Sequence, residues 1–328
     1  MKPSSSLICS LSLDLDNQWS YMKTHGDGGW SSFPSYLDIL VPRVLNFLKE
    51  RNLTITLFVV GQDAALNNNH EALRAIGDAG HEIGNHSFHH EPWLHLYSAK
   101  EIEKEIATAE EHIERATGQK PVGFRGPGYS LSDATVRELI RRKYLYDATT
   151  FPTFLMPIAR LYYFASASFT EEEKRQRRRM GGRLRDGLRP NRPYWWSIDG
   201  KSLFEIPVTT FPGVKLPIHM SYLLALSQLS SKLAVQYFAT GLRLCRLMNL
   251  QPSVLLHPTD FLGIEDGTGL TFIPGMGLPL GKKLDFVSQV LDRLQAAFSV
   301  VTLREHATRA ARGKVTVMSP DFLSEIRP

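Results

Sequence analysis

Cysteine is nearly absent: Cys9 and Cys245 are the only two in 328 residues. Two cysteines cannot build a disulfide framework. A chain this long buries a core without one, so a reducing compartment is the expectation. Long apolar runs are missing too. No uninterrupted stretch reaches the roughly 18 residues that span a bilayer. The longest candidate, 216–250, is broken by His219, Gln228, Lys232, Gln236 and Arg243, which predicts an amphipathic helical pair. The opening residues carry no apolar signal core with a cleavage site, so an unexported, cytoplasmic protein is expected. There is no internal repeat and no low-complexity tract. With 43% hydrophobic and 22% charged residues, the composition excludes wholesale disorder, collagen and coiled coil.

Charge of one sign is also scarce, except in one segment. Between Glu171 and Arg192 stand nine basic and four acidic residues; the remaining 29 of each sign cancel. A nucleic-acid binder spreads basic charge over a face, so no nucleic-acid partner is expected.

What is present is repeated strand–helix alternation, which predicts a parallel sheet, closed into a barrel or open. Thr54–Val60 reads as a buried strand, and 36–51 carries apolar residues at helical spacing. Ser98 and Glu101 form a capping box whose helix Gly118 can close, and Ser132 opens another helix. Further strands are predicted at 122–124, 144–148, 203–208, 253–256 and 299–303. Residues 151–196 break the rhythm. They contain the apolar runs 154–158 and 161–164 and then the basic run, with Thr170 and Glu173 as a capping box and Gly181 as a stop. This predicts a helical insertion, 151–200, within a single catalytic domain spanning 1–328.

Chemistry concentrates where predicted strands end, and in such folds catalytic groups sit at the strands' C-terminal ends. His81, His86, His89, His90 and His95 fall within fifteen residues, where the chain average would place about 0.5. A strand ends near Asn85, and His86 and His90 are four apart, on one face if helical. Imidazoles so spaced can share a divalent metal, with Zn²⁺ the default for nitrogen and oxygen ligands. His89 falls to one side of that face. At the end of the first strand, alternation puts Asp14 and Asp16 on the same side, so one can bind metal while the other takes a proton. Phe124-Arg125-Gly126-Pro127-Gly128-Tyr129 ends another strand: its glycines allow close backbone approach, and Arg125 can pair with a carboxylate. His257 closes a late apolar strand.

In this order the motifs resemble the polysaccharide deacetylase family (carbohydrate esterase family 4, the NodB-like domain), over about 7–150 and 203–303. The resemblance implies a distorted (β/α) barrel, with Asp14 as general base, Asp16, His86 and His90 as metal ligands, Arg125 holding the base and His257 as general acid. It also implies an oxyanion donor at the backbone N–H of Gly128 or Tyr129. Two features depart from the family pattern. Leu15 splits the adjacent Asp-Asp pair, as in the branch holding lipid-linked aminoarabinose deformylases and cyclic-amide hydrolases. The motif that orients the acid histidine has no clear match, leaving Asp147, Asp199 or Asp260 for that part.

The expected function is metal-dependent removal of an N-acyl group, foremost N-acetyl, from an amino sugar of a lipid-linked or cell-envelope glycan. Trp19, Tyr21, His25 and Trp30, in an aromatic loop after Asp16, and Gly128 and Tyr129 are candidate sugar contacts. The apolar-then-basic stretch 154–192 suits an anionic membrane surface at the inner leaflet. Two alternatives stand beside this reading: a cyclic amide or imide hydrolase on the same barrel, and a non-catalytic glycan- or membrane-binding protein.

Overall fold

The computed structural model describes residues 7–156, 184–320 and 322. Its organising element is β1 (Ile8–Leu15), eight residues all buried, as befits a central parallel strand covered on both faces. Alternation divides those residues. Cys9, Leu11, Leu13 and Leu15 join the largest apolar cluster. Ser10, Ser12 and Asp14 take the other face. They meet a polar interior, with Ser10 Oγ 2.8 Å from His306 Nδ1 and Ser12 Oγ 2.9 Å from the Arg125 guanidinium.

Parallel pairing runs from β1 through β2 (Thr56–Val59), β3 (Glu82–Asn85), β4 (Gly123–Phe124) and β5 (Tyr146–Asp147) to the β7 strand (Lys201–Glu205). On its other edge β1 pairs with β8 (Ser253–Leu256). The chain leaving β7 closes the ring. Ile206 N–H donates to Asp147 O and Val208 N–H to Thr150 O, while Thr209 N–H donates to Ser253 O at the start of β8. Seven strand positions thus surround the polar interior as a distorted (β/α) barrel. Gly84 on β3 is required by this interior, because a Cβ there would stand 2.4 Å from the Phe58 ring.

Helices cover the outside: α1 (Gln18–His25), α2 (Leu37–Glu50), α3 (Gly61–Ala65), α4 (His70–Asp78), α5 (Ala99–Thr117) and α6 (Asp133–Arg141). Further along follow α7 (Met220–Leu247), α8 (Leu280–Ala297) and α9 (Leu303–Ala310). The α5 capping box is present, and Gly118 ends the helix at φ 78°. The helical pair read in 216–250 is α7, broken at Ser230, whose φ −165° and ψ 114° leave the helical region. No helix among the described residues is long and apolar enough to cross a membrane.

Two elements differ from the sequence reading. Within the stretch read as strandless lies β6 (Tyr194–Ile198), paired antiparallel with β7 through a tight turn at Asp199 and Gly200, both at positive φ. Its consecutive aromatics hide the alternation a strand normally shows. The second is β10 (Thr316–Met318), which adds to β6; β9 (Ser299–Val301) is the strand expected over 299–303 and pairs with the N-terminal half of β1. Most of the apolar and basic run, 157–183, with its proposed cap at Thr170 and stop at Gly181, lies outside the described residues.

A candidate metal and catalytic site at the barrel mouth

The C-terminal ends of β1, β3, β4 and β8 open onto one cavity of about 200 Å³, lined by Asp14, Asp16, His86, His90, Gly128, Tyr129 and His257. Tyr21, Ser20 and Thr24 of α1, with Pro92 and Gly126, complete the wall.

His86 leaves β3 with its orientation fixed, since its Nδ1 lies 2.6 Å from the Arg125 carbonyl oxygen. A carbonyl only accepts, so Nδ1 carries the proton and the Nε2 lone pair turns toward Asp16, 3.3 Å from Oδ1. His90 Nε2 lies 2.8 Å from that same oxygen. Despite that short distance, neither Asp16 Oδ1 nor either His90 ring nitrogen meets the geometry of a hydrogen bond. Ligand atoms from Asp16, His86 and His90 fall within 4.8 Å of one another. Three converging lone-pair donors, buried and mutually misaligned, are satisfied by one cation, and this donor set fits a divalent metal. Burial opposes the Asp16 charge, but His90 and His86 outweigh it and hold the carboxyl well below its usual range. Burial also opposes a proton on His86, and Asp14 and Asp16 override it, raising its pKa.

The histidine pair is not on a helical turn as expected. Residues 86–90 form an irregular loop with Ser87 at φ 60° and His90 at φ 53°. The Asn85 side chain accepts from Ser87 N–H, and the start of α3 binds the loop through Gly61 N–H to Ser87 O. That folding still brings the two rings to 5.0 Å. His89 points away, half exposed, and pairs with Glu105.

Asp14 is held from one side. Arg125 Nη1 donates to its Oδ1 at 2.6 Å, while its Oδ2 lies 4.0 Å from His86 Nε2. Arg125, fully buried, also donates through Nε to Ala148 O, and its guanidinium lies over the Phe58 ring. His257 follows β8. Asp260, alone of the three candidate acids, reaches it: Oδ2 accepts from His257 N–H at 2.7 Å. Asp147 is instead in the barrel interior beside Thr149 and Glu205. Asp199 is spent on the β6–β7 turn, where an Asp-Gly pair supplies the positive φ angles, and it pairs with exposed Arg137.

Three candidate sugar contacts do not line the cavity. Trp19 is buried, its indole N–H donating to Asp63 Oδ1 at 2.9 Å. His25 stacks on Phe272 at 3.7 Å and meets Asp27. Trp30 packs edge-on against Phe33. These three side chains anchor the segment rather than face the cavity, whereas Tyr21 of the same segment does line it. The Tyr129 N–H, a candidate oxyanion donor, is already given to Gly126 O. Ser221 was missed: its Oγ stands 3.1 Å from His257 Nδ1, and nothing local in the sequence marks it.

Residues 27–146 match the polysaccharide deacetylase family. The match holds His86, His90 and Arg125; Asp14, Asp16 and His257 lie outside it and are brought in by the fold. A peptidoglycan deacetylase of Helicobacter pylori is 31% identical over 110 residues, 34% of this chain and 36% of that protein. The peptidoglycan-N-acetylmuramic acid deacetylase PdaA of Bacillus subtilis is 35% identical over 104 residues, 31% and 38% of the two chains. The chain therefore spans under two fifths of the length of these relatives. A crystal structure of a candidate polysaccharide deacetylase from Mycobacterium smegmatis superposes with a TM-score of 0.62 at 20% identity, covering 100% of this chain and 97% of the other. That likeness is one of fold alone.

Proposed function

We propose that this protein is a metal-dependent carbohydrate de-N-acetylase acting on an N-acetylated cell-wall glycan such as peptidoglycan. The observation that carries the reading is the Asp16, His86 and His90 triad placed beside the Arg125-held carboxylate of Asp14, with His257 on the same cavity. The peptidoglycan specificity of the relatives supports the substrate class.

Asp16, His86 and His90 would hold the cation, and Zn²⁺ suits two imidazoles and one carboxylate. When bound, it supplies Lewis acidity toward an amide oxygen and makes water easier to deprotonate. The remaining chemistry belongs to the chain. Arg125 occupies Asp14 Oδ1 and leaves the other carboxylate oxygen to take a proton from the attacking water. His257 gives a proton to the departing sugar amine, so that water and amide become acetate and a free amine. Tyr21 and Tyr129 narrow the cavity and exclude water around the acyl group.

The test is acetate release from N-acetylglucosamine oligomers and from purified peptidoglycan. Zinc-loaded wild type should release acetate, and Asp14→Asn should lose at least about a hundredfold in rate while retaining zinc. Wild type that releases no acetate, or a fully active Asp14→Asn variant, would overturn the proposal.

A further inference from the structure

His257 needs a partner at Nδ1 if Nε2 is to exchange protons with the cavity. No carboxylate among the described residues contacts the ring directly. The two oxygens of Asp260 are already committed, Oδ2 to the His257 backbone N–H at 2.7 Å and Oδ1 to Ser221 Oγ at 2.8 Å. Between Asp260 and the ring stands the Ser221 hydroxyl, 3.1 Å from Nδ1.

Counting donors fixes the direction of this chain. An ionised carboxylate only accepts, so the single Ser221 hydroxyl proton goes to Asp260. The oxygen of Ser221 then has only lone pairs to offer His257, and Nδ1 must carry a proton. The ring's other nitrogen, Nε2, is left to gain and lose the working proton.

We propose that Ser221 is a positioning residue that relays the Asp260 carboxylate to His257, locking the Nδ1–H tautomer and reserving Nε2 for the cavity. The proposal rests on the deacetylase reading only for the part His257 plays in turnover.

Three further features bear on this arrangement. Lys283, fully buried, donates from Nζ to Thr259 O at 2.7 Å and Leu262 O at 2.5 Å, so the turn that carries Asp260 is pinned on both sides. The Asp260 pKa is raised, burial outweighing the His257 ring, its N–H, Ser221 and Lys283, which oppose that shift in part. His219, 6.0 Å from His257 between ring centroids, is kept neutral by burial, its pKa down to about 3, so it adds no competing cation. The other titratable groups on the cavity are Asp14, Asp16, Tyr21, His86, His90 and Tyr129. Ser221 sits at the start of α7 and Asp260 just beyond β8, so the relay ties two elements 36 and 39 residues apart at one ring.

The experiment is ¹⁵N-histidine NMR of the full chain, with the His257 ring assigned by its disappearance in His257→Gln. Neutral His257 in wild type should show a protonated Nδ1 and an unprotonated Nε2. Ser221→Ala should mix the two tautomers, and Ser221→Thr, which keeps a hydroxyl, should restore the wild-type pattern. On a pentamer of N-acetylglucosamine, Ser221→Ala should lower kcat by about tenfold or more with KM unchanged, because a positioned acid contributes about 10²–10⁴ and its removal is partial. An unchanged Nδ1–H tautomer in Ser221→Ala would overturn the relay, whatever happened to its thermal stability. A Ser221-dependent tautomer in a wild type that releases no acetate would uphold the relay and sink the deacetylase reading instead.

Discussion

Replacing Arg125 by leucine tests whether the Asp14 carboxylate depends on its guanidinium. Asp14 is 4% and Arg125 0% exposed, so water screens neither charge. Removing one partner of a buried pair leaves an uncompensated charge and costs about 3–5 kcal/mol. Ser12 Oγ and Ala148 O lose their donors at the same time, each loss adding about 1 kcal/mol. Arg125→Leu should therefore cost about 5–7 kcal/mol, a large share of the roughly 5–15 kcal/mol by which proteins are stable. Asp14→Asn keeps an acceptor oxygen for Nη1 and should cost less, about 1–3 kcal/mol. In the double variant no buried charge is stranded, so it should be more stable than Arg125→Leu alone by about 2 kcal/mol or more. Urea unfolding of the four proteins, compared at equal m, measures this difference. A double variant no more stable than Arg125→Leu would refute the idea that a stranded Asp14 charge dominates.

Two further outcomes are expected elsewhere in the molecule. Burial lifts the Asp63 carboxyl from 3.8 to about 7, against hydrogen bonds from Asn17 and Trp19. The native state then holds a proton that the unfolded chain releases, so wild-type stability falls as pH rises from about 4 to about 7. Asp63→Asn cannot ionise and keeps its acceptor oxygen. In chelator-treated protein its advantage over wild type should grow across that window, up to about 4 kcal/mol, and a constant difference would contradict the burial argument. Because His89 faces Glu105 and not the cation site, His89→Ala should bind zinc as wild type does. His90→Ala should weaken binding by more than about tenfold, and calorimetric titration with zinc separates the two.

How much of this was legible in the sequence depended on how local the signal was. Asp14 and Asp16 share a face because strand alternation is a local rule, and β1 obeys it. His86 and His90 were found by spacing although the turn between them is not helical; Asn85 and α3 fold the loop so that the spacing still delivers both rings to one oxygen. Trp19 was misread because a loop aromatic suggests a sugar platform, whereas its indole N–H found a buried acceptor 44 residues away. Ser221 carried no signal at all, since its meaning lies in contacts with His257 and Asp260 that only the barrel's closure creates. β6 was hidden by its own aromatics, and with it the reason for Asp199: an Asp-Gly turn between two strands rather than a partner for histidine.

The central claim is that Asp16, His86 and His90 form one divalent-metal site serving Asp14 and His257. Elemental analysis of the purified protein tests it most directly, for wild type and for His86→Ala/His90→Ala, each after zinc supplementation and removal of loosely bound ions. The account predicts about one equivalent of divalent metal in wild type and essentially none in the double variant. A metal-free wild type, or equal metal in both proteins, would contradict it.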